Sequence, residues 1–273
     1  MKLSCLPVSY FPQIISGEMT IGEWAKLARE VGLDALDLSI LFIKQRDTAS
    51  LTQIRRELDS CGMEVAMLTT YPDFTHPDPT QRAREIAQSR EEISVAAHLG
   101  AQWLRVTAGQ AHPETKREQG IAWAVAGLMV ILETAEKNGI TPVFENHYKP
   151  MVWQYLDFSH PTDIFLEIVA RTAGTGLGVN WDTANTLVYG DDPVPVLAQV
   201  LDRVVSVHAA DTGQWGALTP VVVGSGVVPF REMFGMLKSA GFDSLIAIEE
   251  ASRQGQTGLQ AAVNFIRTTW QAA

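Results

Sequence analysis

Short apolar segments alternate with longer helical segments along the whole chain, and this alternation restricts the fold more than any other feature. Eight apolar segments of four to six residues are predicted to be buried strands. The predicted strands are Leu3–Val8, Ala35–Leu38, Glu64–Leu68, Trp103–Thr107, Thr141–Glu145, Leu177–Asp182, Val204–His208 and Leu245–Glu249. The predicted helices are Thr20–Val31, Leu51–Ser60, Arg82–Leu99, Glu118–Asn138, Thr162–Ala170, Val194–Val200, Phe230–Ala240 and Leu259–Trp270.

The first predicted helix carries the local signals expected at both of its ends. Apolar residues recur at helical spacing on one face. Thr20 and Glu23 have the spacing of a capping box, and Gly32 stands where a helix would end.

Eight strand–helix units imply parallel strands that are joined by right-handed crossovers. An open doubly wound sheet is the rival fold, but no glycine fingerprint follows the first predicted strand. Eight units in roughly 250 residues match the size of a closed (β/α)8 barrel. Because no linker interrupts the pattern, we expect one α/β domain over residues 1–273, a (β/α)8 TIM barrel with its active site at the C-terminal ends of the strands.

Composition excludes several classes of protein. The 46% hydrophobic content and the 19% charged content are typical of a globular chain, and no apolar run approaches the roughly 20 residues of a membrane span. The residues Met1 to Pro12 lack the apolar core of a secretory signal, and Cys5 and Cys61 form no CxxC motif, so a cytoplasmic location is expected. A net charge of −10 disfavours nucleic acid as a partner. We therefore expect neither a nucleic acid nor a membrane partner.

Four successive predicted strands end in a side chain that can bind a metal. These residues are Glu145, Asp182, His208 and Glu249, separated by 37, 26 and 41 residues along the chain. Each interval is long enough for one helix and a return to the same rim, so in a barrel the four side chains converge at one end. For one of these acids alone, a salt bridge at the rim or a helix cap would be the simpler explanation.

A divalent cation resolves the repulsion that three converging carboxylates would create. The donor set comprises three carboxylates and one imidazole, without a thiolate. Such a set suits Mn²⁺, Mg²⁺ or Co²⁺ with positions left open for substrate, and it is compatible with Zn²⁺. The sequence therefore predicts one divalent metal ion as cofactor.

The order and the spacing of these motifs resemble the sugar phosphate isomerase/epimerase family, whose members are also described as xylose-isomerase-like barrels. The resemblance runs over nearly the whole chain. Its carriers are Glu145-Asn146-His147, Asp182-Thr183-Ala184-Asn185, His208-Ala209-Ala210-Asp211, Gly224-Ser225-Gly226 with Phe230, Ile248-Glu249-Glu250, Ala97-His98-Leu99-Gly100-Ala101 and Leu104-Arg105-Val106.

The resemblance implies that the four residues hold one divalent metal and that Glu145 and Glu249 exchange protons with a substrate carbon through an enediolate. The implied substrate is a small polyhydroxy carbonyl compound, a sugar or sugar phosphate. Departures from the family pattern leave its identity open, among them Ser225, which stands between two glycines where the family often has an acid. Asn185 stands where many members have a histidine that hydrogen-bonds substrate, and Ala209–Leu218 lacks the arginine usual in ketose 3-epimerases.

Four further residues are candidate substrate contacts, each with a simpler structural alternative. His147 points to the same side as Glu145 if the backbone stays extended, and otherwise caps a loop. Arg105 lies inside an apolar strand and needs an anion, either a site glutamate, a substrate group or a structural acid. Asp211 would orient His208 or another group at the rim, or else lie in a surface turn. His112 could reach substrate from its loop, although Pro113 fits a simple turn.

Several functions share these residues. The leading hypothesis is a metal-dependent isomerase or epimerase. A lyase that dehydrates a keto-polyol or related acid needs the same enolate and is the alternative. An endonuclease for abasic DNA is disfavoured by the acidic charge, and a sugar-binding barrel without activity is disfavoured by the complete donor set. Aromatic residues in the predicted loops suit either sugar stacking or a contact in a homo-oligomer; these are Tyr148, Trp153, Tyr155 and Trp215.

Overall fold

The computed structural model describes residues 1–273 and contains one eight-stranded parallel sheet in the order β1-β8-β7-β6-β5-β4-β3-β2. The strands are β1 Lys2–Leu6, β2 Ala35–Ser39, β3 Glu64–Thr69, β4 Trp103–Val106, β5 Thr141–Glu145, β6 Gly178–Asp182, β7 Val204–Ala209 and β8 Leu245–Glu249. The backbone N–H of Asp34, just before β2, donates to the carbonyl of Leu3 in β1 at 2.8 Å. This bond joins the two edges, so the sheet forms a nearly closed (β/α)8 barrel, as the sequence predicts.

Ten α-helices surround or flank the barrel. They are α1 Phe11–Ser16, α2 Ile21–Glu30, α3 Thr48–Cys61, α4 Pro79–Leu99, α5 Arg117–Lys137, α6 Thr162–Arg171, α7 Asn185–Tyr189, α8 Pro193–Val200, α9 Phe230–Ser239 and α10 Gly255–Ala272. None of them is both long enough and apolar enough to cross a membrane.

The predicted elements are all present, and the differences lie at their ends. The capping box of α2 forms, with the Thr20 side chain accepting from the Glu23 N–H and the Glu23 carboxylate accepting from the Thr20 N–H. Helix α3 begins three residues earlier than predicted because Asp47 caps it. Two helices, α1 and α7, were not predicted, because five or six residues carry too little apolar periodicity to indicate a helix.

The interior of the barrel changes from apolar to polar along its axis. A separate apolar cluster includes the strand-starting residues Ala35 and Leu245 together with Trp103 and Val143, and it fills the end at which the strands begin. Buried polar side chains, among them Asp37, follow toward the other end. The outer faces of the strands pack against the helices. The end at which the strands terminate is therefore the part of the barrel where polar side chains can form a site.

Candidate metal centre

The side chains of Glu145, Asp182, His208 and Glu249 converge at the C-terminal end of the barrel. Three of them close their strands, and His208 is the fifth residue of β7, paired in register with Asp182 of β6. One potential ligand atom from each residue lies within 4.8 Å of the other three. Glu145, Asp182 and His208 are at most 1% exposed, whereas the Glu249 side chain is 28% exposed.

Positive charge from two neighbours balances Glu145. The imidazole Nδ1 of His208 lies 3.5 Å from Glu145 Oε1 and 3.2 Å from Glu249 Oε2. The Nε of Arg105 lies 2.9 Å from Glu145 Oε2. Burial alone would raise the pKa of Glu145, but the charges on His208 and Arg105 reverse the effect and lower that pKa to about 2.

Asp182 is oriented by the start of α7. Its Oδ1 accepts hydrogen bonds from the backbone N–H groups of Ala184, at 2.8 Å, and Asn185, at 2.7 Å. Burial raises the pKa of Asp182 well above its ordinary value, and the nearby charges of Glu249 and Glu145 raise it further. The cluster therefore contains more buried negative charge than its own cations neutralise.

Buried atoms without hydrogen-bond partners face this cluster. They include Oε1 of Glu145 and Nδ1 of His208, whereas Oε2 of Glu145 is in the ion pair with Arg105. Buried polar atoms are normally paired, and carboxylate oxygens with an imidazole nitrogen are suitable donors to a divalent cation. The four residues fit a metal ion, which would satisfy these atoms and offset the repulsion.

Asp37 is a functional candidate that sequence reasoning missed. It lies in β2, is fully buried, and accepts a hydrogen bond from His208 Nε2 at its Oδ2, over 3.2 Å. The signal that could have identified it is an acid inside the otherwise apolar segment Ala35–Leu38. A buried carboxylate in a strand needs a partner, although the sequence does not say which one.

The residues after Glu145 tie neighbouring elements together. The side-chain amide of Asn146 donates to the Asp182 carbonyl at 2.9 Å, and its Oδ1 accepts from the Asp182 N–H at 2.8 Å. The next residue, His147, pairs through Nδ1 with Asp157 Oδ2 at 3.2 Å. These contacts fix the separation of β5 and β6 beside the metal centre.

Residues 148–156, here called the β5 arch, cross the barrel mouth. The C-terminal end of the arch is attached to the loop after β4, since Ala111 N–H donates to the Leu156 carbonyl and Phe158 N–H donates to the Gly109 carbonyl. The two ends of the arch are joined to each other, since Asp157 N–H donates to the Tyr148 carbonyl at 2.7 Å. Beneath it lies a cavity of about 80 Å³. The cavity is lined by Leu6, Val8, Phe11, Leu41, Tyr71, Arg105, His147, Lys149, Pro150, Met151 and Glu249. Arg105 and His147 are thus beside the metal centre.

The other three predicted substrate contacts lie outside this cavity. His112 pairs through Nε2 with Asp73 Oδ2 at 2.7 Å, in a separate pocket of about 550 Å³ beside the β5 arch. Asn185 is half-buried at the first turn of α7. Asp211 accepts from the N–H groups of the glycine loop, including Gly224 at 2.8 Å and Gly226 at 2.9 Å, so it organises that loop and does not contact His208.

The chain is a parallel (β/α)8 barrel with a cluster of potential metal ligands at the C-terminal ends of its strands. The sequence profile of the xylose isomerase-like TIM barrel family matches residues 25–269. The chain belongs to this family.

Solved structures with the same fold have diverse activities. D-psicose 3-epimerase from Clostridium cellulolyticum H10 superimposes with a TM-score of 0.80 at 14% identity, covering 99% of both chains. A probable 3-DHS dehydratase from Bacillus anthracis gives 0.78 at 16% identity, covering 98% of this chain and 99% of the other. The IOLI protein with a bound zinc atom gives 0.79 at 16% identity, covering 100% and 99%. No curated protein sequence matches the chain significantly.

Proposed function

We propose that the protein is a divalent-metal-dependent isomerase or epimerase of a small polyhydroxy carbonyl compound. The convergence of Glu145, Asp182, His208 and Glu249 within 4.8 Å carries this proposal. Membership of the family and the likeness to a sugar epimerase support it. The zinc atom in the IOLI protein supports a metal ion in a barrel of this fold.

The residues divide the chemistry between them. A bound divalent cation supplies Lewis acidity toward the substrate carbonyl and stabilises the negative charge that develops there. Glu249 lines the cavity and is the more exposed glutamate, so it is placed to take a proton from the carbon beside the carbonyl. Glu145 serves as the second proton-transfer group: ionised beside Arg105, it accepts a proton from the carbon in one direction of the reaction, and in its protonated form it delivers that proton in the other. His147 hydrogen-bonds to substrate, with its ring held by Asp157.

A lyase is the second candidate. Proton removal by Glu249 would be followed by loss of a β-hydroxyl group instead of return of the proton to carbon. The cationic side chain of Lys149 lines the cavity and suits a substrate that carries a carboxylate. The likeness to a dehydratase supports the same alternative.

Solvent exchange tests the proposal directly. The protein, loaded with Mn²⁺ or Co²⁺, is incubated in D₂O with a panel of ketoses, aldoses, sugar phosphates, keto-inositols and hydroxy-keto acids. We expect deuterium at the carbon next to the carbonyl of at least one compound, and an enone absorbance instead if the enzyme is a lyase. Glu249→Gln should abolish exchange, whereas Glu232→Gln, at an exposed position of α9, should not change it. Absence of exchange and of enone with the whole panel would contradict the proposal.

A further inference from the structure

A hydrogen-bonded chain crosses the barrel interior from the first two strands to the metal centre. Ser4 of β1 donates through Oγ to Asp37 Oδ1 at 2.6 Å. The other oxygen of Asp37 accepts from His208 Nε2 at 3.2 Å. All three side chains are fully buried, and Asp37 and His208 are 171 residues apart in the sequence.

The hydrogen bonds from Ser4 through Asp37 to His208 give the two ring nitrogens of His208 different surroundings. Nε2 faces a carboxylate and donates to it. Nδ1 faces Glu145 and Glu249 and has no hydrogen-bond partner. A metal ion at Nδ1 would take the place of the proton there, so the imidazole that binds it is neutral and keeps its one proton on Nε2, facing Asp37.

The hydroxyl of Ser4 fixes the carboxylate in turn. Asp37 is fully buried, and both of its oxygens have a donor, one from β1 and one from β7. Because the strand order places β2 three strands away from β7, the contact between Asp37 and His208 spans the lumen and does not belong to the sheet ladder. The contact therefore orients the ring of His208 and plays no part in the pairing of the strands.

We propose that Asp37, held by Ser4, is a positioning residue that sets His208 with Nε2 protonated and Nδ1 directed at the metal ion. The inference rests on the proposed metal-dependent function and extends it to residues outside the four donors. Carboxylates that accept from a metal-bound histidine typically contribute 10- to 100-fold to metal affinity, so we expect Asp37→Leu to weaken Co²⁺ binding about 10-fold or more.

The test measures metal binding without substrate. Co²⁺ affinity is obtained by calorimetric competition, and the protonation form of His208 is read by ¹⁵N NMR of the histidine rings in the Zn²⁺-loaded protein. Asp37→Leu removes the acceptor, whereas Asp37→Asn keeps an acceptor oxygen and should restore most of the affinity and the Nε2-protonated form. Ser206→Ala is the matched control, because Ser206 donates to Asn180 Oδ1 at 2.8 Å inside the same barrel.

The outcomes separate this inference from the proposed function. We expect Ser206→Ala to lower stability without changing Co²⁺ affinity. If Asp37→Leu binds Co²⁺ as tightly as the wild type, or is weakened no more than Ser206→Ala, the inference alone is overturned. If the wild type binds no metal, the proposed metal centre fails as well. Should Asp37→Leu not fold, Ser4→Ala decides: weaker Co²⁺ binding supports the inference and unchanged binding overturns it.

Discussion

The guanidinium of Arg105 and the carboxylate of Glu145 form an ion pair inside the barrel, with Nε and Oε2 2.9 Å apart and side chains 2% and 1% exposed. Nη1 of the same guanidinium donates to the Thr70 carbonyl at 2.9 Å, and the guanidinium lies 4.6 Å from the centre of the Tyr71 ring. Glu145 therefore stays ionised whether or not a cation is bound. Arg105 is thus a built-in counter-ion for one carboxylate of the cluster, and the proposed metal ion would balance the others.

Replacing Arg105 leaves that carboxylate buried without its partner. We expect Arg105→Met to lower the free energy of unfolding of the metal-free protein by about 3–5 kcal/mol, the cost typical of a broken buried pair. Saturating Co²⁺ should recover more stability in this variant than in the wild type. Urea unfolding with and without Co²⁺ measures both effects. The control is Lys137→Met, whose pair with Glu133 is exposed and should contribute far less to stability. Equal losses in the two variants would contradict the expectation.

Asp182→Asn separates metal binding from folding. Burial and then the charges of Glu249 and Glu145 raise the pKa of Asp182, so its ionised form is unfavourable until a cation arrives. We expect the substitution to weaken Mn²⁺ binding strongly while leaving the metal-free protein as stable as the wild type or more so. Calorimetric titration and thermal unfolding in chelator measure the two quantities. Loss of the fold in metal-free buffer, with wild type intact, would contradict this prediction.

Glu92 in α4 makes stability depend on pH. Burial raises its pKa to about 7, and Arg46, 3.6 Å away, offsets the effect only in part. A carboxyl group with a raised pKa stabilises the fold fully below its unfolded pKa near 4.5, and this contribution is lost as pH rises through about 7. We expect Glu92→Gln to be more stable than the wild type at pH 8, by about 3 kcal/mol at most, and nearly equal at pH 4.5. Parallel pH profiles of unfolding in urea would refute the assignment.

We expect the β5 arch to move when a substrate of sugar size binds beneath it. The cavity beneath it, about 80 Å³, is smaller than the roughly 300–1,000 Å³ of typical ligand pockets. Gln110 fastens the arch, because its Oε1 accepts from the N–H groups of Gln154 at 2.9 Å and Tyr155 at 3.2 Å. We expect Gln110→Ala to accelerate amide hydrogen exchange in residues 148–156 and to leave Co²⁺ affinity unchanged.

Gln53→Ala provides the comparison for this variant, since Gln53 makes an exposed hydrogen bond to Glu57 on α3, outside the barrel mouth. It should leave exchange in the arch unaltered. Protection of the arch that is the same in Gln110→Ala and in the wild type would mean that other contacts hold it closed.

The sequence was sufficient for the barrel and for the convergence of the donors. Glu145, Asp182 and Glu249 each end a strand, and parallel strands bring their ends to one rim, so convergence follows from local pattern and topology alone. Asp37 could not be matched to His208 in this way, because their contact depends on which strands face each other across the lumen. The position of His112 also depends on tertiary structure. Its loop made it a candidate substrate contact, but it pairs with Asp73 outside the cavity beneath the β5 arch.

The donors belong to hydrogen-bonded strands, while the β5 arch and the glycine loop held by Asp211 belong to connecting segments. We expect insertions, deletions or exchanges in those segments to alter the mouth, while the strands keep Glu145, Asp182, His208 and Glu249 in place. Exchange of the arch is thus a practical route to new selectivity, because the proposed metal ligands would stay the same and only the shape of the entrance would change.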